Sequence, residues 1–226
     1  MKKICVLSLL LPIFLLVSLV FVGCNSSHSL QKYVSEYRSD IFMATEGKYS
    51  IFANYYEREN PYKADGHVGN KEKSLDVTLA TDDNTKSYAV SFMYNGNRQQ
   101  NILYYDSLQM VHSFIFPVDA PKDSIISFDI YEGKQMNTPI LTLQAKSVKN
   151  NNVLSLNGIL SVLEKNEKSL IDSLMHNKQF LGEIHIRLLF EENYCYYYVS
   201  IVDRKGKAIS LLLDGELGEI LAKRES

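Results

Sequence analysis

The chain has 226 residues, of which 46% are apolar and 22% charged, and its 24 Lys and Arg residues nearly balance its 26 Asp and Glu residues. This composition excludes an intrinsically disordered chain, a collagen-like repeat and a membrane protein with many spans. The near-neutral charge provides no basic surface of the kind that binds nucleic acid, so nucleic acid is not an expected partner. The length fits one large domain or two small ones.

The first residues have the pattern of an export signal. Two lysines lie within residues 1–3, and an apolar run follows over residues 4–22. By length alone this run could cross a membrane, but no cationic stop-transfer cluster follows it. Small residues lead instead to Cys24, and residues 25–29 are polar.

The segment Val22-Gly23-Cys24 resembles the lipobox that ends a bacterial lipoprotein signal peptide. In that family the chain is cut before the cysteine, which carries a diacylglycerol. The resemblance implies a signal peptide over residues 1–23, a lipidated tether over residues 24–29 and a lipid on Cys24, with palmitate among its acyl chains. Such acyl chains would anchor the protein to the extracytoplasmic face of a cell membrane. An uncleaved signal anchor is the alternative, and it would also leave the rest of the chain outside the cytoplasm.

The cysteine count leaves one thiol without an assigned role. The expected processing removes Cys5 and commits Cys24 to lipid, so Cys195 has no partner for an internal disulfide. Alternation along its segment places Cys195 on one face with Tyr197 and Val199. This pattern predicts a packing cysteine rather than a nucleophile, because an apolar site raises the pKa of a thiol.

The region from residue 30 to 148 is predicted to be a short helix followed by a β-domain. Apolar residues between Leu30 and Ala44 recur at three- and four-residue steps, which favours a helix. Beyond Gly47 the period changes to two, and Asn95-Gly96 has the signature of a tight hairpin turn. The spacing of the strands predicts an antiparallel β-sandwich, with an immunoglobulin-like arrangement as one option. The seven predicted strands cover residues 49–56, 75–79, 88–94, 101–106, 110–118, 124–131 and 139–147.

A polar break at Lys149–Asn152 separates a second predicted domain over residues 153–226. Apolar spacing after the break predicts one bent helix or two short helices that end near Asn177. Strands are predicted at residues 183–190, 194–202 and 207–213, with a short last strand within residues 217–221. This order predicts a small α+β unit made of a helix and an antiparallel meander.

The closing stretch of the chain, Leu213 to Leu221, combines an aspartate, a glycine-acid turn and a final aliphatic pair. It is similar to the end of PepSY-type domains, which are extracytoplasmic modules with a helix before a few strands. The resemblance implies a regulatory or binding module and carries over no catalytic residue.

The sequence contains no motif that assigns a catalytic residue, a metal site or a cofactor. Zinc-type spacings, a nucleophile elbow, a phosphate-binding glycine loop and a dinucleotide fingerprint are all missing from the printed sequence. Glu183 and His185 share one face of a predicted strand, and we interpret them as part of a solvated polar face rather than as cation ligands.

Aromatic residues are the one unusual feature of the composition, with 15 Tyr and 10 Phe but no Trp. Tyr55, Tyr56 and Tyr62 flank Arg58 at the start of a long charged loop, and they form the candidate partner-binding surface. Ordinary sheet tyrosines are the alternative. The sequence therefore predicts a membrane-anchored, non-catalytic lipoprotein of the cell envelope that binds a protein, peptide or glycan. The alternative is an envelope hydrolase that acts on wall polymer or peptide.

Overall fold

A computed structural model describes residues 30–61, 63, 67–177 and 179–226. The predicted signal peptide, Cys24, the tether and Tyr62 lie outside the described residues. Within the described ranges, no helix has the length and apolar character needed to cross a membrane.

The described chain opens with a 3₁₀ helix at Leu30–Tyr33 and is then mainly β-structure. Two α-helices interrupt the strands, α1 at Leu156–Asn166 and α2 at Lys168–Leu174. The strands are β1 (Val34–Glu46), β2 (Tyr49–Glu59), β3 (Lys71–Ala80), β4 (Tyr88–Tyr94), β5 (Asn97–Asp106), β6 (Val111–Pro117), β7 (Ile125–Glu132), β8 (Leu141–Ser147), β9 (Met175–His176), β10 (Gln179–Phe180), β11 (Gly182–Glu191), β12 (Tyr194–Asp203), β13 (Ala208–Asp214) and β14 (Ile220–Glu225).

The first eight strands form a closed antiparallel barrel in the order β1-β2-β3-β6-β5-β4-β7-β8. The sheet closes where β8 returns to β1 and pairs Ser147 with Phe42 and Lys146 with Met43. The predicted β-sandwich, including its immunoglobulin-like option, is therefore wrong. A sandwich and a barrel share the same alternation and strand spacing, and the pairing that distinguishes them joins distant residues without a local signal.

The remaining long strands extend the same sheet outward from the barrel. β11 runs parallel to the first part of β1, and β12, β13 and β14 follow as an antiparallel meander. The strands of the predicted α+β unit thus continue the barrel sheet through β1. Helices α1 and α2 cover one face of this extension and bury a second core. Its members include Ile159, Leu163, Ile184, Ile186, Tyr197 and Leu211.

The predicted helix over residues 30–44 is also wrong, since most of this segment is strand β1. The register of β1 against β2 shifts between Arg38 and Asp40, which is a β-bulge. The bulge changes the phase of the alternation, so that Ile41 packs in the second core while Phe42 packs inside the barrel. Apolar residues are buried on both faces of β1, and the bulge shifts their alternation. Together these two features produce the three- and four-residue steps that are typical of a helix.

Most other predicted elements are confirmed. The seven strands from residue 49 to 147 are present as β2 to β8, and the second helical region is two short helices. Asn95 and Gly96 both have positive φ, as the predicted turn between β4 and β5 requires.

The inside of the barrel is filled by side chains. Phe92 lies at the centre of an aromatic cluster, with its ring 4.7 Å from Phe128 and 5.0 Å from Phe116 between centroids. Tyr55 and Tyr88 are buried in the same core. These side chains fill the part of the barrel interior that the structure describes.

Candidate functional site

A cleft opens on the outside of the sheet where β11 separates from β1. The two strands pair only as far as Arg38 and Arg187. Beyond this point β1 pairs with β8, and in the described part of the chain Leu188–Glu191 is paired only with β12 on its far edge. The space between β2 and the end of β11 is a cleft of about 510 Å³. This volume lies in the range of small-ligand sites in proteins.

One end of the cleft is formed by two arginines held on a buried carboxylate. Glu36 has no exposed surface, and Arg187 binds it twice, from Nε to Oε1 at 3.0 Å and from Nη2 to Oε2 at 2.6 Å. Arg38 donates from Nε to the same Oε1 at 2.5 Å. Bidentate pairs of this kind fix the plane of a guanidinium group, so the Arg187 side chain is oriented before any ligand arrives.

Further charged groups lie beside this end of the cleft. The guanidinium groups of Arg38 and Arg58 lie over the ring of Tyr56, at 5.8 and 5.1 Å from its centroid. Asp76 lies near both arginines, and burial raises the pKa of its carboxyl while their charges lower it. With Arg187, three guanidinium groups lie in this part of the described chain, and guanidinium groups are the usual partners of carboxylates.

The walls of the cleft are largely apolar. Phe52 on β2 and Leu189 on β11 line it with 37% and 41% exposure, and the buried Ile41 lines it as well. Asn54 lines the same wall as Phe52, and its Oδ1 is buried with no hydrogen-bond partner in the described part of the chain. Glu191 lines the end of the cleft opposite the arginines.

A second depression of about 370 Å³ lies on β12, β13 and β14. Its lining is polar at Ser200 and Arg224, and the hydroxyl groups of Tyr198 and Ser210 lie 2.8 Å apart. Tyr198 is directly opposite Arg187 in the sheet, so this depression borders the arginine end of the cleft.

The tyrosines of the predicted partner-binding surface are buried where the structure describes them. Tyr55 is 1% exposed inside the barrel, and its hydroxyl donates to Glu57 Oε1 at 3.0 Å. Tyr56 is 6% exposed on the outer face, beneath Arg58. Tyr62 lies outside the described residues. Contact with a partner at these residues stays a prediction, although the two described rings offer little surface to one.

Three other residues considered in the sequence analysis, Glu183, His185 and Cys195, lie on β11 and β12. Cys195 is partly buried, burial raises the pKa of its thiol, and its Sγ lies 3.6 Å from the carbonyl oxygen of Val148. His185 Nε2 lies 2.8 Å from Glu183 Oε2, and Glu183 is only 4% exposed rather than solvated as predicted. Among the residues that the structure describes, no group of three or more His, Cys, Asp or Glu is arranged to hold a metal ion.

Sequence reasoning missed Glu36, Arg38 and Arg187. Glu36 and Arg38 lie in the segment that was predicted as a helix, and Arg187 is 151 residues from Glu36 along the chain. Glu36 has polar neighbours in Ser35, Arg38 and Ser39, so no local signal marked it as a buried acid. In comparisons with known proteins, no family model, no curated protein and no solved structure matches the chain.

Proposed function

We propose that this protein is a lipid-anchored, extracytoplasmic binding protein whose cleft takes a ligand with a carboxylate group and an apolar part. The observation that carries the proposal is the pair of guanidinium groups, Arg38 and Arg187, held on the buried Glu36 at one end of an open cleft. The resemblance of residues 1–24 to a lipoprotein signal supports the anchor and the location.

The arginine pair suits recognition better than it suits stability. A guanidinium group has five N–H donors, and Arg38 uses the Nε donor on Glu36. Its side chain keeps 35% exposure and lines the cleft, so its Nη donors can reach a ligand carboxylate. Because Glu36 already holds the Arg38 side chain, less side-chain entropy would be lost when a ligand binds to it.

The expected anchor is compatible with an accessible cleft. Residues 24–29 could extend over roughly 20 Å at most, so lipidation at Cys24 would keep Leu30 close to the membrane. Leu30 and Tyr33 pack in the second core, on the face of the sheet that the helices cover. Arg187 and Leu189 line the cleft and alternate along β11 with Ile186 and Leu188 of the second core, so this part of the cleft lies on the opposite face.

An envelope hydrolase acting on wall polymer or peptide is the second candidate, and one observation favours it. Ser200 lies directly across the sheet from His185, which bonds to the buried Glu183. Ser200, His185 and Glu183 are the residue types of a hydrolytic triad, with the serine as nucleophile, the histidine as base and the glutamate as its carboxylate partner. Labelling of Ser200 by a fluorophosphonate, lost in Ser200→Ala and in His185→Gln, would support the hydrolase over the binding protein.

The binding function can be tested with a simple carboxylate probe. Full-length protein in dodecyl maltoside micelles would be titrated by calorimetry with N-acetyl-leucine and with its neutral amide. We expect the acid to bind and the amide to bind at least about tenfold more weakly, since the charged hydrogen bonds are lost. Arg187→Gln should lose the preference for the acid, while Arg98→Gln, an exposed arginine on β5, should keep it. Equal binding of acid and amide would contradict the proposal.

A further inference from the structure

The free edge of β11 beside the cleft suggests the kind of molecule that binds there. We infer that the cleft receives the C-terminal end of a short apolar peptide, which adds to β11 as an antiparallel strand. This inference rests on the proposed function, because it names the ligand of the same site.

The first argument is the unpaired backbone. Within the described chain, Leu188–Glu191 has no strand partner on the side that borders the cleft, although β12 pairs with its other edge. Along such an edge, every second residue points its N–H and C=O groups toward the cleft, and the residues between point theirs toward β12. An extended peptide can bind these groups, which is the basis of strand addition in peptide-binding domains.

The second argument is the charge at the two ends. Arg187 lies at one end of this free edge and Glu191 at the other, four residues apart and both lining the cleft. At roughly 3.3 Å per residue, the two charges are separated by about 13 Å, the length of four extended residues. A peptide with its carboxylate at the Arg38–Arg187 pair and its ammonium at Glu191 would meet an opposite charge at both ends.

These charges also fix the direction of the peptide. β11 runs from Gly182 to Glu191, so the peptide would start beside the end of β11 and finish near its middle. It would therefore be antiparallel to β11. Antiparallel pairs are slightly more stable per residue than parallel ones, which agrees with this direction.

The third argument is the chemistry of the walls. Phe52 and Leu189 would contact apolar side chains of the peptide, because both are exposed in the cleft. A small rotation of the Asn54 amide would let its buried, unpartnered Oδ1 accept a peptide N–H. A fatty acid would use the arginines and the apolar walls, but it would leave the strand edge and Glu191 without a partner.

The test uses one peptide and three chemical variants of it. Full-length protein in dodecyl maltoside micelles would be titrated with Ala-Leu-Ala-Leu, its C-terminal amide, its N-acetyl form and a form with one central amide nitrogen methylated. We expect the free peptide to bind at least about tenfold tighter than N-acetyl-leucine, since it adds backbone hydrogen bonds and the ammonium contact. Amidation and N-methylation should each weaken it about tenfold.

Glu191 gives a matched pair of protein variants. In Glu191→Gln the free peptide should bind about threefold more weakly, as expected for an exposed ion pair, while the N-acetyl form should be unaffected. Glu192→Gln, the next residue in the turn, should leave both affinities unchanged. Thermal unfolding of each variant would show that the fold is retained.

The outcomes separate the inference from the function on which it rests. If N-methylation does not weaken binding, or if the tetrapeptide binds no tighter than N-acetyl-leucine, strand addition is wrong and the carboxylate site stands. If the N-acetyl and free peptides bind equally to the wild type, the assigned direction and the contact with Glu191 are wrong. If neither the peptide nor N-acetyl-leucine binds, the proposed function fails together with the inference.

Discussion

In the barrel each strand has a neighbour on both sides and the interior is filled with aromatic rings, whereas the outer extension leaves part of β11 unpaired and holds the carboxylate of Glu36 between two arginines. The barrel closes on itself, although β5 pairs with β6 only over residues 104–106 and β8 pairs with β1 only at Lys146 and Ser147. Its packed aromatic interior is what distinguishes it from the extension. The extension keeps a free edge and a charged cluster beside it. Strand β1 belongs to both regions. The packed barrel therefore holds in place the strand that carries Glu36 and Arg38 beside the cleft.

The largest expected effect tests the packed side of this comparison. Phe128→Ala removes a ring with no exposed surface from the barrel core, and we expect it to lower the free energy of unfolding by about 3–5 kcal/mol. Phe52→Ala removes the same ring from the cleft wall and should cost less than about 1 kcal/mol while it weakens ligand binding. Urea denaturation of the two variants provides the measurement. Equal losses of stability would remove the distinction between a packed barrel and an open cleft.

A smaller effect is expected at the charged cluster. Glu36→Gln leaves two guanidinium groups without their shared carboxylate, and it should lower the free energy of unfolding by about 2 kcal/mol. Affinity for N-acetyl-leucine should fall as well, because Arg38 and Arg187 lose the group that orients them. Glu72→Gln, an exposed acid on β3, is the matched control and should stay within about 0.5 kcal/mol of the wild type. A Glu36→Gln protein as stable as the wild type would show that the pair does not organise this region.

The smallest effect is a pH dependence that belongs to the barrel. His112 is 2% exposed, its Nε2 has no hydrogen-bond partner among the described residues, and burial lowers the pKa of its imidazole. Below about pH 6.5 the unfolded chain takes up a proton that the folded barrel disfavours, so stability is complete above that pH and declines as the pH falls.

His112→Phe would isolate this contribution. The replacement keeps a ring beside Tyr88, whose centroid lies 4.9 Å from that of His112, and it removes the titrating group. We expect the free energy of unfolding to fall less steeply between pH 7 and pH 5 in the variant, as measured by urea denaturation at several pH values. Parallel curves for the two proteins would show that His112 contributes nothing to the acid sensitivity.

Local pattern was enough to predict β2 to β8, but not β1 or the way in which the barrel closes. The alternation from Tyr88 to Tyr94 identifies β4, since inward and outward residues differ in polarity along it. No such signal marks the pairing of Phe42 with Ser147, on which the choice between a barrel and a sandwich depends. The prediction of a helix at β1 was wrong because the bulge and the burial of both faces conceal the alternation of a strand.

The candidate site was beyond the reach of local pattern. Its two arginines meet only because β1 and β11 run parallel and in register, and this pairing joins residues from opposite ends of the chain. The two described tyrosines of the predicted partner-binding surface do not line the cleft. Tyr55 is buried inside the barrel, and the ring of Tyr56 lies under the guanidinium groups of Arg38 and Arg58. Aromatic abundance in this chain reflects packing at these positions.

The central claim is that the cleft binds a peptide along β11 while the barrel stays unchanged. Hydrogen–deuterium exchange with and without Ala-Leu-Ala-Leu tests it most directly. Amides of Leu188–Glu191 that border the cleft should exchange faster than those of β4 in the free protein, because they lack a strand partner there. Addition of the peptide should slow their exchange and leave the amides of Tyr88–Tyr94 unchanged. Unchanged exchange at Leu188–Glu191, or slowing that is equal in β4, would contradict the account.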